Sequence, residues 1–345
     1  MPLSVRTLVQ TLCLLLFAAL LFLAGASITG PLPTDLWLRL DPLVGVATPI
    51  AVRSWIPALW GGLAILGLSL VLGRFFCGYM CPLGTGFDLV HKGLGKRPSS
   101  GSPAPAESRR RRWKYALLAA ILVASALTAP AAFWMAPIPW TTRIFALLLY
   151  PFVLLATLLG LQLAAPLGHL VERLLYLTPA VPQYALQPAL AVGALALAGS
   201  VMITPRFWCR YLCPAGALMA LFARRPLLRR RVGADCVQCG TCARKCPMGA
   251  IGDSPYHTNH AECITCATCV RICPQEAIRF ATDPLVSASP WTMDRGSRRY
   301  FLASGLAGAG YAALNMSSLG FPHGLSGSHS GPGTLVPTRL LRPCL

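Results

Sequence analysis

Cys236-Val-Gln-Cys239-Gly-Thr-Cys242-Ala-Arg-Lys-Cys246-Pro247 is followed by a second run of the same form, Cys263-Ile-Thr-Cys266-Ala-Thr-Cys269-Val-Arg-Ile-Cys273-Pro274. Thiolates at i, i+3 and i+6 come from one tight loop and can hold three corners of a [4Fe-4S] cube, while the cysteine before the proline swings to the other cube. The spacing assigns Cys236, Cys239, Cys242 and Cys273 to one cluster and Cys263, Cys266, Cys269 and Cys246 to a second. A zinc ribbon also uses C-x2-C pairs, but it has no need of a third cysteine three residues on and a fourth before proline, twice over. Each run is followed by an apolar pair, Ala250-Ile251 and Ala277-Ile278, suited to pack on the clusters. So small an α+β unit, between about Arg231 and Asp283, depends on its eight ligating thiolates for stability.

The rest of the 345-residue chain is unlike a small soluble electron carrier, with 55% hydrophobic and only 12% charged residues. Candidate membrane spans are Thr7 to Gly25, Ile56 to Gly73, Tyr115 to Trp134, Ile144 to Ala165 and Leu186 to Ile203, each near the roughly 20 residues that cross a bilayer core. The formal net charge of +19 does not point to nucleic acid, because the basic residues are not interleaved with aromatics on a binding module. They flank spans instead. Arg74, Lys92, Lys96, Arg97, Arg109 to Arg112 and Lys114 follow the second stretch, and Arg206, Arg210, Arg224, Arg225 and Arg229 to Arg231 follow the last. Positive flanking loops mark the cytoplasmic side, and the loops Ala26 to Trp55 and Met135 to Arg143 are nearly free of such charge.

Both basic loops on one side require an even number of crossings between them. The chain is therefore expected to span about four times, with Ile144 to Ala165 left at the outer interface, since Pro151 interrupts it and it runs on into Leu167 to Leu177 with Glu172 and Arg173. The expected fold is a mainly α-helical integral membrane protein with a small bacterial-type α+β ferredoxin domain. Its parts are a membrane domain over 1–230, the dicluster unit over 231–283, a linker and apolar segment over 284–320, and a disordered tail over 321–345. Ser99 to Ser108, rich in Pro, Ser, Gly and Ala, reads as a flexible stretch of the cytoplasmic loop.

An internal repeat stands at the membrane edge. Arg74-Phe-Phe-Cys77-Gly-Tyr-Met-Cys81-Pro82-Leu-Gly84 and Arg206-Phe-Trp-Cys209-Arg-Tyr-Leu-Cys213-Pro214-Ala-Gly216 agree at seven of eleven positions, 132 residues apart. Each copy follows an apolar stretch, so the two halves are expected to bring Cys77, Cys81, Cys209 and Cys213 to one face. Those thiols would hold a third cluster or another soft metal, or relay electrons as dithiols; the alternative is that they are helix-end cysteines kept reduced. Cys13 and Cys344 belong to no motif, and His257, His260, His323 and His329 are isolated loop histidines.

Two ferredoxin runs preceded by two C-x3-C-P copies resemble the membrane-bound polyferredoxins of the NapH/MauN type, relatives of the regulator NosR and of the CcoG-type accessory proteins, over roughly residues 1 to 280. The resemblance implies electron transfer between a quinol pool or a cytoplasmic donor and extracytoplasmic redox partner proteins. It places the chain in the bacterial cytoplasmic membrane, in contact with lipid, with the clusters on the cytoplasmic side. Whether a quinone binds is left open. An iron-sulfur reductase or assembly factor acting through the C-x3-C-P cysteines is the other functional class; a channel would need ionisable residues within its spans, and these lack them. Ser297-Arg298-Arg299-Tyr300-Phe301-Leu302, before the uncharged run Ala303 to Leu319, resembles a twin-arginine signal placed inside a chain. Some relatives carry a further iron-sulfur domain beyond such a signal, and a shortened reading frame is the expectation that raises.

Overall fold

The structure, a computed structural model, describes residues 5–25, 33–93, 105–153, 155–156, 187–252, 254–282 and 295–318. The expected stretch Leu167 to Leu177, the linker 284–294 and the tail 321–345 lie outside them. Helices dominate. Val5–Gly25 is the one helix among the described residues that is long and apolar enough to cross a membrane, and Pro42–Val52, Pro57–Leu72, Pro188–Ser200 and Leu302–Leu314 are shorter apolar helices.

Several boundaries differ from those expected. The stretch Tyr115 to Trp134 is not one helix: Pro105–Ala126 ends where Thr128 turns left-handed, φ 68°, ahead of Pro130, and a separate turn forms at Ala132–Met135. The expected loop from Met135 to Arg143 is helical from Pro137, which sits at the first position of Pro137–Ile144, and a π-helical turn carries it on through Phe145–Leu149. The expected loop from Ala26 to Trp55 contains Leu36–Arg39 and Pro42–Val52. Asp41 caps the latter by accepting from the amide of Leu43 at 2.9 Å. Helix Arg295–Ser318, which carries the twin-arginine-like sequence, lies along Pro105–Ala126 with Gly308 against the Ala120 backbone, where a side chain would not fit.

The two repeat copies fold alike, as Phe75–Tyr79 followed by Pro82–Gly93 and as Phe207–Tyr211 followed by Pro214–Phe222. The cause is local. Pro82 and Pro214 cannot continue the preceding helix, but each can open the next one, where the missing N–H is not needed. Their buried faces join a single core with Phe17, Leu43, Ile65, Leu118 and Met219.

The dicluster unit opens at Leu228. Strand β1 (Leu228–Val232) pairs antiparallel with β2 (Ile278–Thr282), enclosing the two cysteine runs between them. Each run forms one short helix, Thr241–Arg244 and Thr268–Arg271. Left-handed backbone recurs at matching places: Gln238 and Thr265 before the second cysteine, Gly240 and Ala267 after it, and Gly249 and Glu276 three residues past the fourth. Four of these six are not glycine. At about 1–3 kcal/mol each, such conformations persist where the surroundings impose them, commonly at ligand clamps.

Candidate functional site

Those left-handed turns curl each run around a hollow. Cys246, Cys263, Cys266 and Cys269 line one, together with Met248, Ala250, Ile251 and Ile264. Cys236, Cys239, Cys242 and Cys273 line another, with Val237, Pro274 and Ile278. Three thiols in each come from one run and the fourth from the other. Polar groups reach several of the sulfurs: the Ala250 amide donates to Cys246 Sγ at 3.3 Å, and the hydroxyls of Thr241 and Thr268 lie 3.4 Å from Cys239 Sγ and Cys266 Sγ. Four soft thiols, polar groups at sulfur and an apolar lining suit a [4Fe-4S] group, whose potential depends on hydrogen bonds to sulfur and on exposure. Among the described residues, no three His, Cys, Asp or Glu side chains lie close enough to hold a single metal ion.

The hollows differ in surroundings. Met248, Ala250, Ile264 and Cys266 belong to the same core as the helical bundle, so the first hollow is the inner one. Cys242 and Ile278 belong to a small separate core, and Cys239 is exposed, which makes the second the outer one.

The four C-x3-C-P cysteines belong to the core that the inner hollow shares with the bundle. Cys77, Cys81, Cys209 and Cys213 are all buried, in mutual electrostatic range, and Cys77 Sγ is 3.7 Å from the Met219 sulfur. Burial pushes Cys209 up to about 11 against the pull of Arg206. Burial raises Cys81 and Cys213 as well, so the charged form of these three thiols needs a bound metal to offset its desolvation.

What holds the two copies together is a reciprocal clasp. Arg206 Nη1 donates to the Cys77 carbonyl at 2.7 Å, and Arg74 Nη2 donates to the Cys209 carbonyl at 3.4 Å. Each guanidinium reaches across to the other copy's first cysteine, over that copy's glycine. A Cβ on Gly216 would stand 2.5 Å from Arg74 Nη2, and one on Gly84 would stand 3.5 Å from Arg206 Nη1 and 2.9 Å from the Cys77 carbonyl. Both arginines are fully buried and paired. Arg206 grips Asp88 in bidentate fashion at 2.9 and 2.7 Å, and Asp88 also accepts from Arg6 at 2.6 Å and Gln10 at 2.9 Å. Burial alone would raise the Asp88 carboxyl, but Arg206 first and Arg6 next hold it well below the usual range.

Arg74 couples the clasp to the dicluster unit. It meets Glu262 at 2.9 Å, and Lys114 meets the same carboxylate at 2.5 Å, all three groups being buried. Burial works against the Glu262 charge, yet Lys114 and Arg74 override it and keep the carboxyl low. Further contacts match each repeat copy to one cysteine run. Gly78 packs against the Ile264 carbonyl and Tyr79 Oη donates to the Thr265 carbonyl at 3.1 Å. At the position equivalent to Gly78, Arg210 places its guanidinium against Gly249.

Arg74, Lys114, Arg206 and Arg210, expected as loop charges beside apolar stretches, are all buried. A signal was present for two of them: Arg74 and Arg206 are identical residues opening both copies of the repeat. Nothing in the sequence marks Glu262, Asp88 or Lys114. The histidines set aside remain outside both hollows as far as they are described.

Two cysteine-lined hollows on a helical bundle define a ferredoxin-type iron-sulfur protein. The family described as the 4Fe-4S binding domain matches residues 55–100 and 186–234, covering both repeat copies. The 4Fe-4S dicluster domain matches residues 235–278. An uncharacterized protein of Methanocaldococcus jannaschii is 28% identical over 185 residues, 53% of this chain and 63% of that protein. The methylamine utilization ferredoxin-type protein MauN of Paracoccus denitrificans is 28% identical over 202 residues, 58% and 56% of the two chains. YccM of Escherichia coli, provisionally named an electron transport protein, is 28% identical over 188 residues, 53% and 44%. The matches thus span between 44% and 63% of these three relatives' lengths. No solved structure matches the chain. These similarities support a polyferredoxin of the MauN/NapH type, with 4Fe-4S ferredoxin-type domains over both the repeat and the cysteine runs.

Proposed function

We propose that this chain is a multi-pass membrane electron-transfer protein with two [4Fe-4S] clusters, an inner one on Cys246, Cys263, Cys266 and Cys269 and an outer one on Cys236, Cys239, Cys242 and Cys273. When bound, each cluster supplies a one-electron couple, and the protein sets its position and potential. The observation that carries the proposal is the division of eight cysteines into two crossed foursomes, each lining its own hollow. The bundle crosses the bacterial cytoplasmic membrane about four times, with the dicluster unit on the cytoplasmic side, a reading supported by apolar composition and by the placement of basic residues. Its domains run as membrane unit, dicluster unit, linker with an apolar helix, and tail.

Electrons pass between the bundle and the inner cluster, then to the outer one and to a redox partner protein at its exposed edge. Cys77, Cys81, Cys209 and Cys213 share the core of the bundle with Cys266, which supports a place for them on the bundle side of that route. The reductase or assembly-factor alternative needs thiols that a substrate can reach, and these are buried. The donor, whether quinol or a soluble reductant, follows from the resemblance alone.

Anaerobically purified protein is expected to hold about eight iron and about eight acid-labile sulfides. Cys239→Ala should lose about half of both and keep the EPR signal of the inner cluster. Zinc in place of iron, with no signal on reduction, sinks the proposal.

A further inference from the structure

Three consecutive arginines, Arg229-Arg230-Arg231, look in sequence like one block of surface charge, but they lie on strand β1, where successive side chains face opposite ways. Arg230, opposite Phe280 in the sheet, is therefore the one turned inward, and it is 4% exposed. Its guanidinium stands between the two hollows. Nη2 donates to Cys242 Sγ of the outer set at 3.4 Å, and the same side chain lines the inner hollow together with Cys269. Nη1 is anchored on the Pro255 carbonyl at 2.6 Å and Thr258 Oγ1 at 2.9 Å. Among the described residues, no carboxylate lies within ion-pair distance of it.

A buried cation without a counter-ion is costly. An apolar residue would fill the inner face of a small strand pair more cheaply, and the bonds to Pro255 and Thr258 alone could be made by a neutral donor. What only a cation supplies is a fixed positive field in a low-dielectric site. Reduction adds negative charge to a cluster, so a cation bonded to its ligating sulfur favours the reduced form; net charge and hydrogen bonds to sulfur are among the factors that set such potentials.

We propose that Arg230 is a potential-setting residue shared by both clusters, a single buried charge bonded to a ligand of the outer one and lining the hollow of the inner one, that raises the two potentials together. The proposal rests on the reading that both hollows hold clusters. Because the guanidinium stands between the two hollows, one charge acts on both clusters at once.

The test is an EPR-monitored redox titration of the full-length protein and of the variants R230Q, R230K and R229Q, with iron content measured on each sample. With both clusters retained, R230Q should lower both midpoints, so that at the original midpoint the reduced-to-oxidised ratio falls about tenfold, equivalent to about 59 mV for a one-electron couple. R230K should stay within about threefold of the unmodified ratio, and R229Q, on the outward face, should match it. Unchanged midpoints in iron-loaded R230Q, or a shift in only one cluster, overturn the proposal. If R230Q loses iron while R230K keeps it with near-original midpoints, the charge is what matters and the proposal stands. Iron lost from both variants would assign Arg230 to packing and overturn it. Fewer than two clusters in the unmodified protein would overturn the underlying reading, and this proposal with it.

Discussion

The inner and outer hollows are written with the same twelve-residue pattern and the same left-handed turns, yet they sit in opposite surroundings. Glu262, just before Cys263, is buried between Arg74 and Lys114; Asp235, at the equivalent place before Cys236, is exposed. Ile264 packs on Gly78 of the bundle, whereas its counterpart Val237 is 62% exposed. A repeated sequence thus yields two unequal sites once one half is docked on something, and the inequality gives the pair a direction, from bundle to solvent.

The largest effect should come from removing the carboxylate that docks the inner run. Glu262→Gln leaves two buried cations facing a neutral group and is expected to cost about 3–5 kcal/mol, as broken buried pairs do, read as a lowered melting temperature in detergent. Asp235→Asn should leave the melt where it was. An equal response from both variants would mean that the two runs are not differently docked.

A smaller loss is expected from Gly216→Ala, whose new methyl group lands on Arg74 Nη2 and pushes that guanidinium off Glu262, at about 1–3 kcal/mol for overpacking. Gly86→Ala has nothing within 4 Å and should stabilise its helix by about 0.5–1 kcal/mol. Melts that cannot tell the two apart would dismiss the clasp.

Iron release to a chelator should be biphasic, with the outer half leaving first, because Cys239 is exposed and Cys266 is buried. A single phase would put the two sites in equal surroundings.

The smallest effect is one of pH. The Asp88 carboxyl is held low in the folded protein by Arg206 and Arg6 despite its burial, so its contribution to stability is complete above its ordinary value of 3.8 and is lost as pH falls further, through the lowered folded value. Asp88→Asn should flatten that acid limb and lower stability at neutral pH. An unaltered acid limb would assign it to other carboxylates.

The cysteine runs were legible in sequence because ligand spacing along a tight loop is a local property, and the repeat was legible because seven residues recur in order. Other features depend on what lies across from a residue. How each run meets the bundle is decided by small Gly78 facing Ile264 in one place and by Arg210 facing Gly249 in the other, and neither contact is visible along the chain. The basic residues misled for a related reason: counting charge beside apolar stretches treats Arg74, Lys114, Arg206 and Arg230 as solvated, while strand alternation and helix packing turn them inward. Element ends shifted where proline could either break or begin a helix, as at Pro130 and Pro137, since only tertiary packing chooses between the two.

The most direct test is to follow reduction of each cluster by the membrane donor in Cys239→Ala and in Cys263→Ala. An inner cluster that mediates between bundle and outer cluster predicts normal reduction of the inner one in Cys239→Ala, and an outer one that stays oxidised in Cys263→Ala although dithionite still reduces it. Reduction of the outer cluster at the unmodified rate in Cys263→Ala would contradict the account.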